Sequence, residues 1–189
     1  IVSPINDSII FAVRNPICNS FCPPPELYVS KDYGVTWNFK ANMDHPTFDK
    51  INPQIVYTTF WNNTYKSDDN GDTFVQIIEV PDFISYIFTD RFHTGKIYIG
   101  TRSLQGIQNP ENNWGYYVSE DFGKTLEFKS FRESISLPSD PYDFFLPTIG
   151  RIIWAIDQDP QNEQVMYFGG EDSDHSLAKI SLLDPYVVI

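Results

Sequence analysis

Apolar and polar residues alternate along this chain in short runs separated by polar turns, and no stretch carries an apolar stripe of useful length at helical spacing. Residues 4–8 read as a turn, and Ile9-Ile10-Phe11-Ala12-Val13 reads as a buried strand after it. The phrase returns at Asn52-Pro53-Gln54-Ile55-Val56-Tyr57-Thr58-Thr59, more loosely at His93-Thr94-Gly95-Lys96-Ile97-Tyr98-Ile99-Gly100, and again from Asp159-Pro160-Gln161-Asn162 into Val165-Met166-Tyr167-Phe168-Gly169. Four starts in 189 residues give a period of roughly 47, the size of a four-stranded repeat unit.

A second pattern lies inside the first. Ser30-Lys31-Asp32-Tyr33-Gly34-Val35-Thr36-Trp37 recurs as Ser67-Asp68-Asp69-Asn70-Gly71-Asp72-Thr73-Phe74 and as Ser119-Glu120-Asp121-Phe122-Gly123-Lys124-Thr125-Leu126. Each copy sits between apolar or aromatic runs and reads as strand, turn, strand. The Asp side chain can accept from backbone N–H groups just downstream, and Gly two residues later takes a conformation costly for other residues. The closing Trp37 or Phe74 opens the returning strand and is expected to be largely buried.

These three hairpins resemble Asp-box repeats, the signature on the blades of sialidases, of related glycoside hydrolases and of sortilin-type sorting receptors. In that family the box is structural. Asp32-Tyr33-Gly34, Asp121-Phe122-Gly123 and the phrase Thr73-Phe74-Val75-Gln76 lean towards the sortilin type. The resemblance implies an all-β fold of about four β-propeller blades, with approximate bounds 1–47, 48–88, 89–150 and 151–189, forming part of a larger propeller. It also implies that the four starts mark inner strands and that each box follows on the next hairpin. The box serines are 37 and then 52 residues apart, so the third unit carries an insertion, for which 103–114 is the candidate. Further connections are 18–25 and the Pro-rich, aromatic 136–147. The fourth unit has no box and reads as degenerate or truncated, and its acidic Glu171, Asp172 and Asp174 read as a solvated turn.

Composition supports many short strands and narrows the partners. With 25 acidic and 13 basic residues the net charge is −12, which disfavours nucleic acid and anionic lipid and favours basic or neutral partners. No run approaches the roughly 20 apolar residues of a membrane span, so a membrane association would come through segments outside this chain. Opening on Ile1-Val2, the chain reads as processed or partial.

Cys18 and Cys22 are spaced to close a small disulfide loop in an oxidising compartment, with two free thiols as the alternative. No metal site is expected, since His45, His93 and His175 form no ligand-spaced pair, and no cofactor is implied. Asn6 and Asn62 are acceptors for N-linked sugar if the chain is secreted.

Three functions remain open. The resemblance to sortilin-type receptors implies a non-catalytic extracellular or luminal segment that binds a protein or peptide, with further blades or another chain along its exposed edges. The resemblance to sialidases implies an arginine triad, but Arg14, Arg91, Arg102, Arg132 and Arg151 lie in no Arg-Ile-Pro phrase. A cellulose- or xyloglucan-cleaving propeller would need two carboxylates, for which Asp90, Asp157 and Asp159 are candidates without privilege. The third reading is a structural repeat of a surface or filament protein.

Overall fold

In the computed structural model, residues 1–17, 23–102, 115–130, 153–170, 177–182 and 187–188 are described. They form antiparallel sheets and no helix. The first sheet runs β1 (Ile10–Arg14), β2 (Glu26–Ser30), β3 (Asn38–Ala41). The second runs β4 (Asp44–Phe48), β5 (Val56–Phe60), β6 (Asn63–Ser67), β7 (Val75–Glu79). The third runs β8 (Phe83–Thr89), β9 (Ile97–Arg102), β10 (Gly115–Ser119), β11 (Glu127–Ser130). The fourth runs β12 (Ile153–Gln158), β13 (Val165–Gly170), β14 (Leu177–Ser181), β15 (Val187–Val188). Every pairing between the named strands is antiparallel and between neighbours in sequence, whether a tight turn joins them, as between β5 and β6, or a long connection, as between β9 and β10.

The sheets divide the chain one strand earlier than the sequence suggests. β4 and β8 pair with the strands that follow them, so the sheet boundaries fall after Ala41 and after Glu79. The four recurrent starts are therefore second strands: β1, β5, β9 and β13. Their common turn shows this alignment, since Ser3, Asp49, Asp90 and Asp159 each donate N–H to the carbonyl of Ile9, Ile55, Lys96 and Val165 respectively. The first sheet gains part of a fourth strand from the amino terminus. The Ile1 ammonium donates to Phe11 O at 2.7 Å, Phe11 N returns to Ile1 O at 2.8 Å, and Ser3 N reaches Ile9 O. The fourth sheet lacks the repeat hairpin yet is not short of strands, because β14 and β15 complete it through Lys179 opposite Val188 and Ile180 opposite Val187.

The core consists of three apolar seams, each between consecutive sheets. Phe11, Leu27 and Val29 of the first sheet meet Phe48 and Val56 of the second. Tyr57 and Ile78 meet Ile97 and Ile99. Tyr98 and Tyr116 meet Ile156, Met166 and Phe168, with the Tyr116 and Phe168 rings 4.7 Å apart. Alternation along each second strand explains the layering: Val56 faces back to the first sheet and Tyr57 forward to the third.

Two sequence expectations about burial diverge. Phe74 is half-buried against the first seam, as a strand-opening aromatic should be. Trp37, in the matching position of the first sheet, is 41% exposed. The reason is geometric: Phe74 packs on the preceding sheet, and among the described residues no sheet packs behind Trp37.

Candidate functional site at the loop-bearing end

The three repeat hairpins connect third to fourth strands, and the Asp49, Asp90 and Asp159 turns connect first to second strands, so all lie at one end of the sheets. This end is saturated with internal bonds. In the first hairpin the Ser30 hydroxyl donates to Asp32 Oδ1 at 2.8 Å and accepts from Gly34 N, while Asp32 accepts Thr36 N at 2.8 Å and the Thr36 hydroxyl at 2.6 Å. Asp69 and Asp121 repeat the pattern with Ser67, Gly71, Thr73 and with Ser119, Gly123, Thr125. The Thr73 hydroxyl, followed by its N–H, holds the Asp69 carboxyl down to about 2. The Thr125 N–H and hydroxyl hold Asp121 to about 2, and the Thr36 hydroxyl lowers Asp32.

Tyr33, Asn70 and Phe122 take left-handed φ of 60°, 57° and 62° beside left-handed glycines. That turn aims their N–H groups at Ser8, Gln54 and Gly95 carbonyls, tying each hairpin to the start of its own second strand. In the fourth sheet Leu182 N to Gln164 O, at 2.6 Å, serves in place of the hairpin contact.

Side-chain links at this end also join one sheet to the next. Asp49 Oδ2 accepts Gly95 N at 2.7 Å and the Thr94 hydroxyl at 3.1 Å. Gln158 donates through Nε2 to Asp90 Oδ2 and accepts Arg91 N at 2.8 Å. Burial alone would raise the pKa of Asp90, but hydrogen bonds from Phe92 N, Gln158, Tyr98 and His93 outweigh it and hold the carboxyl low. The three candidate catalytic carboxylates are thus accounted for here: Asp90 is buried and surrounded by donors, Asp157 pairs with Arg91 at 2.6 Å, and Asp159 caps its turn through Gln161 N. Sequence reading missed Asp49, although its place one residue beyond β4, ahead of Asn52-Pro53, matches that of Asp159 beyond β12.

The opposite end is different in kind. There second strands connect to third and one sheet passes to the next, so the strand ends bracketing 18–22, 103–114, 131–152 and 171–176 all lie on this side. Cys18, Cys22, Arg132, Arg151, Glu171, Asp172, Asp174 and His175 lie outside the described residues. Arg14 is at this end, paired with Glu26 at 2.9 Å, whereas Arg91 is at the other, so the two cannot converge on one substrate carboxylate. Of the two glycan acceptors, Asn6 is exposed at a turn of the hairpin end. Asn62 is half-buried, with Nδ2 donating to Glu79 Oε1 and Val80 O.

Between β5 and β6 the turn residue Trp61 adopts φ 58° and stands 62% exposed. Its ring lies 5.8 Å from Phe60 and 5.7 Å from Phe83, an aromatic cluster at the mouth of the second and third sheets. Phe83 opens β8, and further along β8 Tyr86 lines an open cavity of about 650 Å³ together with Asp44, His45 and Lys50. A bulge in β4 between Asp44 and Thr47 accompanies φ 50° at His45, re-aiming that ring so that Nδ1 meets the Thr59 hydroxyl at 3.2 Å. Burial raises the Tyr86 phenol, which stays a neutral donor. Among the described residues no set of His, Cys, Asp and Glu could hold a metal ion.

No protein-family model and no curated protein matches the sequence. The fold does match solved structures. The chain is similar to an ancestral GH74 enzyme, with a TM-score of 0.66, 15% identity, 95% of this chain and 24% of that one covered. It is similar to the GH74 xyloglucanase from Xanthomonas campestris, with a TM-score of 0.65, 13% identity, and 99% and 29% covered. It is also similar to YCF48 from Cyanidioschyzon merolae, with a TM-score of 0.61, 12% identity, and 100% and 53% covered. These are β-propeller proteins, and the four antiparallel sheets here are propeller sheets. The chain spans about a quarter of the GH74 enzymes and about half of YCF48.

Proposed function

We propose that this chain is a segment of an Asp-box propeller of sortilin-like type, working outside the cell or in an endomembrane lumen, whose loop-bearing end binds a peptide or protein without catalysis. The Phe60, Trp61 and Phe83 cluster carries the reading: large aromatic surface at the end where the long connections gather, with Trp61 and Phe83 exposed. A separate cavity, lined in part by the same strand β8, offers Asp44, His45 and Tyr86 as polar groups. The Ser, Asp, Gly and Thr positions of the three hairpins support the Asp-box assignment, because each bonds within its own turn and none points to a ligand.

One observation favours a second reading. The fold likeness to GH74 enzymes and the exposed Trp61 ring suit stacking on a sugar. Hydrolysis by paired carboxyl groups needs two of them about 5 to 9.5 Å apart. Among the described residues lining the cavity Asp44 is the lone carboxylate. The discriminating experiment pans a random peptide library against the whole chain and separately incubates it with xyloglucan. Enriched peptides that lose affinity at least about tenfold with Trp61→Ala support the proposal. New reducing ends from xyloglucan, abolished by Asp44→Asn, overturn it in favour of the hydrolase.

A further inference from the structure

The turn between β5 and β6 holds a tryptophan where its geometry calls for glycine. Phe60 pairs with Asn63, so Trp61 and Asn62 form a two-residue hairpin loop, and the first of them takes φ 58°. A left-handed first loop residue favours glycine, because a bulky side chain strains the backbone there. Full burial does not offset that strain. The indole is 62% exposed, although Phe60 and Phe83 flank it at 5.8 and 5.7 Å. Both neighbours tilt against it, by 46° and 59°, so neither covers it by stacking.

A carboxylate without a partner lies next to this turn. The connection from β7 to β8 is strapped across it by two backbone bonds, Val80 N to Asn62 O at 2.9 Å and Ile84 N to Trp61 O at 2.7 Å, with Asp82 between them. Asp82 is half-buried and has no hydrogen bond or ion pair among the described residues. Burial raises its carboxyl, and no donor or cation counters the shift. The charged side chains of the turn and the strap, 60–63 and 79–83, are Glu79 and Asp82, both acidic. Glu79 accepts from the Asn62 amide at 3.1 Å, which leaves Asp82 as the unengaged one. An open indole face and an uncompensated carboxylate are the two halves of a cation site. A guanidinium suits both, being flat, weakly hydrated and a fork of donors matched to a carboxylate. Resting on the peptide-binding reading above, we propose that Trp61, Phe83 and Asp82 receive an arginine side chain of the peptide, its guanidinium over the indole and its N–H groups on the carboxylate. The net charge of −12 draws such a peptide in.

Nuclear magnetic resonance of the isotope-labelled whole chain tests this with two small probes, N-acetyl-arginine amide and its citrulline analogue, alike in shape but neutral. The arginine probe is expected to shift the Trp61 indole N–H and the Phe83 amide, with an affinity at least about tenfold above that of the citrulline probe. Asp82→Asn should abolish the difference, and Asp82→Ser replaces it should circular dichroism show that variant unfolded. Asp7→Asn, an equal change of charge at an exposed turn of the hairpin end, should leave the difference intact. A carboxyl whose folded pKa is raised weakens the fold at any pH above that pKa, so Asp82→Asn should also raise the melting temperature at neutral pH. Equal responses to the two probes, no response to either, a difference that persists in Asp82→Asn, or a fall in its melting temperature overturns the proposal. Library peptides that still depend on Trp61 would then leave the peptide-binding reading standing without it. An arginine response with no enriched peptide supports the cation site and overturns that reading instead.

Discussion

Gly71 of the second repeat hairpin lies directly against the Phe11 ring of the sheet before it. A methyl on its α-carbon would sit 2.4 Å from Phe11 Cζ, and its backbone has φ of +83°. Gly34 has nearly the same backbone, φ +85°, but its nearest neighbour would be 3.6 Å away. Gly34→Ala should therefore cost only the left-handed strain of an L-residue, about 1–2 kcal/mol. Gly71→Ala adds overpacking of about 1–3 kcal/mol to that. Urea unfolding of the two variants measures the gap, and equal losses would contradict the packing described.

Gln158 is a buried polar link between the third and fourth sheets, and Gln158→Leu should lower stability by about 1–3 kcal/mol, the usual loss when buried partners go unpaired. It strips one donor from Asp90 Oδ2 and leaves Arg91 N without its acceptor. Chemical denaturation checks the size. Hydrogen exchange should show faster exchange at Arg91 N than at the strand amides of β9.

Acid sensitivity follows from the hairpin aspartates. Asp69 and Asp121 fold with carboxyl groups near 2, below the roughly 3.9 of an unfolded chain. A depressed pKa contributes stability that is full above about pH 4 and fades as pH falls towards about 2. Thr73→Val removes the main cause of the Asp69 shift, so its deficit in melting temperature relative to wild type should be larger at pH 6 than near pH 2.5. A deficit independent of pH would show that the hydroxyl acts otherwise.

Trp61 should separate binding from folding. Exposed at 62%, it should change stability by no more than about 0.5 kcal/mol on replacement by Ala. The same change should remove most of the affinity for selected peptides. Its fluorescence should respond to them in wild type. A large fall in melting temperature instead would assign the aromatic cluster to the core.

The hairpin end was readable in the sequence because its bonds are local: Ser30, Asp32, Gly34 and Thr36 sit within seven consecutive residues and carry the whole turn. The four second strands were readable for the same reason, each announced by its turn. β4, β8 and β12 were harder, since their pairing becomes visible only through partners such as Thr59 opposite Asp44. Trp37 misled because burial of a strand-opening aromatic depends on a neighbouring sheet, which no local pattern encodes. The candidate site was illegible as well. His45 of β4 meets Tyr86 of β8, and Trp61 of the β5–β6 turn meets Phe83 at the start of β8, pairs distant in sequence, and the bulge in β4 re-aims His45.

The polar crossties from Asp49 to Gly95 and from Gln158 to Asp90 are both at the hairpin end. They work like the rivet of a folding fan. Between the second and third sheets, pinned there and held elsewhere by an apolar seam, a small rocking pivots about the rivet and spreads at the far rim, whereas the Ser85 hydroxyl, donating to Ile153 O at 2.6 Å, ties the third sheet to the fourth at that rim as well. A ligand wedged between Trp61 and its neighbours would thus have the whole length of a strand as its lever arm.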